Sequence, residues 1–338
     1  MSDVESLTRA LVDIDSTTGL EHDVAVWIAR LLADQGYDVV EQPVADGRFN
    51  VFARLGEPVV VLSTHVDCVP PFLPSRQEGG LIFGRGACDA KGILAAQIVA
   101  AERLRARGET RVALLFVAGE ERGSDGARAA NALAPPGVRY LVNGEPTDNR
   151  LGVATRGVLR VKLHATGRAV HSSSPDAGES AIDKLLDALM VLRGVALPDD
   201  PVLGRTHYTI GLIEGGVAPN VVSPRASAEV LFRTVDDGVR VREALRVIES
   251  LVAVEPLLGI PAMRMHTVPG IETAVFPYAT DIPLLTRWGR PLLLGPGSIH
   301  VAHTDDEHVA VDDLRQAVGL YERVVMQLLV PRPSSGRR

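Results

Sequence analysis

The sequence predicts an α/β protein: a mainly parallel sheet between helices, with a smaller β-α-β-β-α-β domain inserted into it. Three observations carry this. Residues 59–62, 111–117 and 140–142 are short apolar runs without polar alternation, as in strands buried on both faces of a covered parallel sheet. Helical apolar patterns flank them, at residues 21–36 and 93–104. From about Leu151 the texture changes to alternation, with Leu159, Val161 and Leu163 on one side, as in a half-exposed strand.

The elements follow in order. Residues 2–14 read as a helix with Leu7, Leu11 and Ile14 on one face. After a loop at 15–19, residues 21–36 form an amphipathic helix (Val24, Ile28, Leu31, Leu32) ended by Gly36. Residues 37–42 and 50–54 are strands. The strand at 59–62 cannot continue past Pro70 and Pro71. A loop with Gly84, Gly86 and Gly92 leads into the helix at 93–104. Residues 154–265 read as the inserted domain: strand 158–165, helix 180–192, strands 206–212 and 227–232, helix 239–252 and a strand at 262–267. That order is ferredoxin-like, and insertion at a surface loop is tolerated. The first domain, residues 1–153 and 266–338, resumes with a short strand at 292–294 preceded by Pro291, a histidine-rich turn and a closing helix at 312–329. The Pro, Ser, Gly and Arg tail at 331–338 is expected to fray. There is no internal repeat.

Polar chemistry gathers where the buried strands end. In open α/β sheets ligands bind at the carboxyl ends of strands. The first run opens into His65 and Asp67, whose i, i+2 spacing in extended chain puts both side chains on one side. An Asp there can accept the second ring N–H and fix which nitrogen faces a metal. Asp89 lies just before a helix, where the dipole favours a carboxylate. The next two strands end in Ala-Gly-Glu120-Glu121 and Asn-Gly-Glu145. H-x-D alone, or D-x-K-G alone, reads as an ordinary turn. Acids at successive buried strand ends are not explained by packing. Of the candidates His65, Asp67, Asp89, Glu120, Glu121, Glu145 and one late histidine, five could ligate two zinc ions, with one carboxylate bridging.

Composition sets bounds. A chain of 338 residues, 46% of them hydrophobic, can fill two ordinary domains. A net charge of −7 argues against nucleic acid or an anionic membrane as the main partner. The acidic, amphipathic start and the lack of a span-length apolar run lead us to expect a cytoplasmic protein. The two cysteines, Cys68 and Cys88, each adjoin a candidate Asp. Buried hydrophobe, metal ligand and redox pair are the readings, and the first is favoured because free Cys is commonly buried and inert.

The ordered set H-V-D, G-A-C-D-A-K-G, G-E-E, N-G-E-P-T, G-R-A-V-H-S-S and A-H-T-D-D-E resembles the co-catalytic zinc family of acetylornithine deacetylase, succinyl-diaminopimelate desuccinylase, aminoacylase and glutamate carboxypeptidase. The likeness spans nearly the whole chain. It implies a zinc-exopeptidase-like catalytic domain with a lid and dimerisation domain at 154–265. It implies that Asp89 bridges two zinc ions, His65 and Glu145 completing one and Glu121 and His303 the other. Asp67 would orient His65, and Glu120 would be the general base toward a water acidified by the metals. Cobalt or manganese can also occupy such O/N sites. His300 and His308 lack the A-H-T context, and His22, His164, His207 and His266 lack any motif. His171 matches a lid histidine that reaches across a homodimer to the reacting oxygen; a surface histidine in a turn is the plain alternative. Asn220 and Arg233 match substrate-binding positions, the guanidinium suiting a carboxylate. Ser298 departs from the acid many relatives carry in this loop.

The implied activity is hydrolysis of an N-acyl amino acid, acetylornithine deacetylase-like first, with a place in arginine biosynthesis or a carrier-linked ornithine or lysine substrate. Succinyl-diaminopimelate desuccinylase and a dipeptidase or carboxypeptidase are alternatives of the same chemistry. A non-catalytic binding or scaffold relative is the alternative of another class, and the intact ligand set speaks against it.

Overall fold

The apolar runs become the spine of the first of two units in the computed structural model, which describes residues 3–45 and 47–330. That unit takes in the chain up to Val153, Met265–Ala274 and the residues from Thr280 on. It opens with α1 (Val4–Val12), where the Asp3 side chain caps the helix by accepting the Ser6 N–H at 2.9 Å. Next come α2 (His22–Asp34), β1 (Asp38–Pro43), β2 (Phe49–Arg54), β3 (Val60–His65), β4 (Arg76–Glu78), β5 (Leu81–Phe83), α3 (Lys91–Ala106), β6 (Val112–Val117), α4 (Asp125–Ala130) and β7 (Tyr140–Asn143). Ser2 and the tail at 331–338 lie outside the described residues.

Six strands form one sheet in the order β1-β2-β6-β3-β7 followed by Arg290–Leu293. β6, β3, β7 and Arg290–Leu293 run parallel, whereas β1 and β2 pair antiparallel with each other and β2 antiparallel with β6. The sheet is therefore mixed, because β1 and β2 are joined by a short hairpin rather than a helical crossover. Pro291 lies inside the last strand rather than before it, and that strand is an edge, where proline is tolerated.

Alternate residues of the central strands enter different cores. Val60, Leu62, Leu114 and Phe116 join α1, α2, α3 and the closing helix Val311–Leu329; Val61, Ala113, Leu115 and Val117 join Trp288 on the opposite face. Burying each large side chain is worth roughly 1.5–3 kcal/mol. Since β3, β6 and β7 are parallel, their carboxyl ends open at the same edge of the sheet. α3 is buried almost all round, and Gly92 lets it sit close: a Cβ there would lie 2.3 Å from the Ala87 carbonyl oxygen. β4 and β5 form a small sheet with His308–Ala310, which the sequence did not foretell.

The second unit comprises Ala154–Arg264 and Val275–Ala279. Its main elements are β8 (Gly157–Thr166), α5 (Ala181–Arg193), β9 (His207–Gly215), β10 (Arg225–Thr234), α6 (Val239–Leu245) and β11 (Ala253–Ile260). The four strands form an antiparallel sheet in the order β9-β10-β8-β11. Leu159, Val161 and Leu163 of β8 face the core with α5 and α6. Two expectations are corrected. The second helix ends at Leu245 and tightens into a 3-10 turn at Arg246–Ile248. The last strand of the β-α-β-β-α-β order is β11, not residues 262–267, where only Met263–Arg264 is extended. Pro256 hid β11 in the sequence; it sits at a register shift on an edge strand, where its missing N–H does no harm. Among the described residues no helix is long and apolar enough to cross a membrane.

Candidate metal centre

His65 ends β3 with its ring fully enclosed. Its Nε2 lies 2.9 Å from Asp89 Oδ1. The loop before α3 turns through Gly84 (φ +139°) and Gly86 (φ +87°), and a Cβ on Gly86 would stand 2.6 Å from Cys68 Sγ. That close approach delivers Asp89 to the head of α3. The other oxygen of Asp89, Oδ2, is 3.4 Å from His303 Nε2, which is also 2.7 Å from Glu121 Oε1. His303 is held at φ +66°, a left-handed conformation uncommon outside glycine and often found at functional sites. Each oxygen of one carboxylate thus faces a different imidazole. Glu145, buried just after β7, feels the charges of Asp89 and His65, and Glu120, just after β6, those of Glu145 and His65.

Asp67 departs in detail from the expectation. His65 Nδ1 is nearer the main-chain carbonyl of Asp67, at 2.9 Å, than its carboxylate, at 3.5 Å. The carboxylate is engaged elsewhere. It accepts the N–H of Glu120 at 3.0 Å, the N–H of Glu121 at 3.1 Å and the Thr18 hydroxyl at 2.9 Å. It therefore fixes the turn that presents both glutamates.

The charges fit a cation. Burial opposes a charged His65, but its bonds to Asp67 and Asp89 outweigh this and hold it well above the ordinary imidazole range. His303 is pushed up to about 10 by its bonds to Asp89 and Glu121. Burial, and then the charges of its acidic neighbours, drives Glu145 and Glu120 well above the carboxylate range. Without a metal, protons stand where positive charge is needed; buried charge of one sign is costly unless paired. His65, Asp89 and Glu121 can each offer a ligand atom, all within 4.8 Å of one another. Imidazole nitrogen and carboxylate oxygen are the donors zinc takes. The residues present fit a metal.

Three nearby residues escaped the sequence reading. Thr18 is one. Asp281 is buried, and among the described residues neither carboxylate oxygen has a hydrogen bond of normal geometry; burial pushes it up to about 6, partly offset by the nearby Ser124 hydroxyl. Glu307, in the A-H-T-D-D-E motif, is buried against Arg85. Only Glu307 had a signal, its place in a quoted motif. The cysteines are free and buried, and burial raises the Cys68 thiol to about 11 and Cys88 well above its usual range. They stay protonated thiols at neutral pH.

The sequence profile of Peptidase family M20/M25/M40 matches residues 61–327. The chain belongs to this family. An M20 domain-containing protein of Schizosaccharomyces pombe is 38% identical over 95% of this chain and 84% of its own length. A protein named probable carboxypeptidase from Aspergillus fumigatus is 37% identical over 96% and 86%. Among solved structures, the aminopeptidase PepT of Bacillus cereus superposes with a TM-score of 0.82 at 19% identity, covering 96% of this chain and 98% of its own. A dinuclear metal binding peptidase of this family from Bacillus subtilis gives 0.74 at 18% identity, covering 96% and 97%. As a family member the chain is a hydrolase of amide or peptide bonds.

The remaining residues singled out by likeness to this family lie in the second unit. His171 is exposed, its Nδ1 2.8 Å from the Ser173 hydroxyl. It pairs with Val221, and the Ser172 N–H donates to the Asn220 carbonyl at 2.9 Å, so the loops bearing His171 and Asn220 are joined. Arg233 lies on β10 opposite His207, half-buried; burial lowers its pKa, and no acidic partner is found among the described residues. His164 pairs with Glu255 at 2.7 Å, and His308 Nδ1 lies 2.6 Å from the Asp306 carbonyl.

Proposed function

We propose that this protein is a two-metal exopeptidase or deacylase that cleaves the amide bond before a terminal amino acid with a free carboxylate. The observation that carries the reading is Asp89 set between His65 and His303, with Glu121 on His303. Asp89 would bridge the two ions, His65 and Glu145 holding one and Glu121 and His303 the other. Zinc is the first choice from the donor set, with cobalt or manganese able to substitute. When bound, the ions supply a Lewis acid for the carbonyl and make a water acidic near neutral pH. Glu120 takes a proton from the attacking water as the C–O bond forms, and returns it to the amine as the C–N bond breaks. Asp67 holds Glu120 and Glu121 in place.

His171 and Asn220 keep the roles the resemblance gives them, on the reacting oxygen and the substrate. Arg233 supports a carboxylate-bearing substrate, since a half-buried guanidinium without an acid calls for an anion. The naming of relatives as probable carboxypeptidases favours peptides over acetylornithine. Acetylornithine deacetylation in arginine biosynthesis is a narrower case of the same reaction. We also read the protein as a cytoplasmic homodimer formed through the second unit. Supporting this, Ile182, Leu186 and Met190 form an exposed apolar stripe on α5, and Leu212, Ile213 and Val217 are exposed on and just beyond the edge strand β9. Free, buried cysteines fit a reducing compartment.

The test is a chelator-controlled screen of the zinc-loaded protein over dipeptides, tripeptides, N-acetylornithine and N-succinyl-diaminopimelate, reading amine release. Chelator-sensitive cleavage of peptides with a free carboxylate, and not of their amides, is expected. Silence with two metals bound per chain would move the substrate outside this class; silence with no metal bound would move the protein to a binding role.

A further inference from the structure

Arg85 and Glu307 form an ion pair 2.5 Å apart with side chains 2% and 0% exposed, between residues 222 positions apart in sequence. A pair so enclosed is weak support for stability, because desolvation offsets most of its attraction. What it touches is informative. Glu307 Oε1 accepts three main-chain N–H groups, those of Gly86 at 2.9 Å, Cys88 at 3.2 Å and Asp89 at 3.1 Å. One oxygen thus gathers the whole loop that carries Asp89. The other oxygen, Oε2, takes Arg85 Nη1, which also donates to the Thr304 carbonyl at 3.0 Å, one residue beyond His303. Arg85 Nε reaches the Pro71 carbonyl at 3.3 Å, in the loop that follows His65 and Asp67. The Glu307 N–H closes its own turn on the Thr304 carbonyl at 3.3 Å, and the Glu307 carbonyl accepts the Gly84 N–H at 3.0 Å.

We propose that the Arg85–Glu307 pair is the positioning device that locks the Asp89 loop to the His303 turn and so sets the geometry of the second metal position. This rests on the two-metal reading above. The physical argument is that two of the three groups meeting at that position, Asp89 and His303, are aimed by main chain that this pair holds, whereas the third, Glu121, hangs from Asp67. Asp89 is aimed because its own N–H is tied to Glu307. His303 sits in a left-handed conformation that is unfavourable by itself, and the Arg85 bond to Thr304 helps hold that turn. His65 ends a central strand and is fixed by the sheet ladder instead. Loss of the pair should therefore be felt unevenly by the two metal positions. Outer partners of metal ligands are commonly worth about 10- to 100-fold in metal affinity.

The test is zinc titration by calorimetry on the full metal-free chain, wild type against Glu307→Gln, with circular dichroism to verify folding. Cobalt absorption spectra report ligand geometry as a second readout. In the wild type two binding steps are expected. In Glu307→Gln one of the two steps should lose about 10- to 100-fold and the other less, with an altered cobalt spectrum. Two unchanged steps with an unchanged spectrum, or an equal loss in both, would overturn the proposal. A wild type that binds no metal would instead overturn the two-metal reading itself, so the two failures are distinguishable. Should Glu307→Gln not fold, Arg85→Lys keeps the charge while giving up the bonds to Pro71 and Thr304, and it carries the same expectation.

Discussion

The carboxylate of Asp67 accepts the main-chain N–H of Glu120 at 3.0 Å, and its second oxygen accepts that of Glu121 at 3.1 Å. Two adjacent glutamates with different proposed tasks therefore hang from one side chain. Asp67→Asn turns one of those acceptors into a donor facing an N–H, so the turn must shift. Turnover should fall about 10- to 100-fold with the fold intact, by analogy with other groups that orient metal ligands. Thr18→Val, which removes the 2.9 Å hydroxyl bond to Asp67 and a longer one of 3.5 Å to the Cys68 carbonyl, should give a smaller loss of the same kind. Steady-state kinetics beside a thermal melt would decide. Unchanged kcat in Asp67→Asn would mean that the turn holds without this tie.

Glu120→Gln removes the proposed base while leaving every proposed ligand in place. Turnover should drop by about 10²- to 10⁴-fold. Metal content, read by atomic emission, should stay at the wild-type value. An active, fully loaded variant would falsify the role.

What was legible in the sequence follows from locality. His65, Asp89, Glu120, Glu121 and Glu145 each adjoin a continuous apolar run or a helical pattern, so position along the chain revealed position in the fold. Glu307 stands in the A-H-T-D-D-E motif, but its bond to Arg85 spans 222 residues, and nothing local in either segment signals that pairing. Asp281 lies in an irregular stretch beside a single 3-10 turn, without periodicity. β11 was missed because Pro256 and Gly259 read as breakers, although an edge strand with a register shift accommodates both. Strand direction was equally hidden: the apolar runs give burial but not polarity, and β2 proved antiparallel to β6.

Arg233 is where substrate selection can be separated from chemistry. In Arg233→Met the KM for a peptide with a free carboxylate should rise about 10- to 100-fold, as for loss of a charged hydrogen bond. The kcat should change little, because binding of a remote group mainly affects KM. A C-terminally amidated peptide should not distinguish the two proteins. Equal losses on both peptides would point to a structural role for this side chain.

Asp281 gives a pH prediction of definite sign. Its carboxyl is pushed up to about 6, chiefly by burial, against an ordinary 3.8. Below about pH 4 both folded and unfolded chains keep the proton, and the group is neutral toward stability. Between about pH 4 and 6 the unfolded chain ionises it first, so stability falls as pH rises; above that window the loss is complete. Asp281→Asn removes the ionisation. In chelator-treated protein its melting temperature should therefore gain on wild type as pH rises through that window, then run parallel to it. A shift of this size corresponds to on the order of 1–3 kcal/mol, which is a few degrees for a chain this long. The comparison belongs in metal-free protein, where no bound cation offsets the buried acids. A gap that stays constant from pH 4 to 7 would mean that Asp281 ionises alike in both states and that its neighbours, not its burial, govern it.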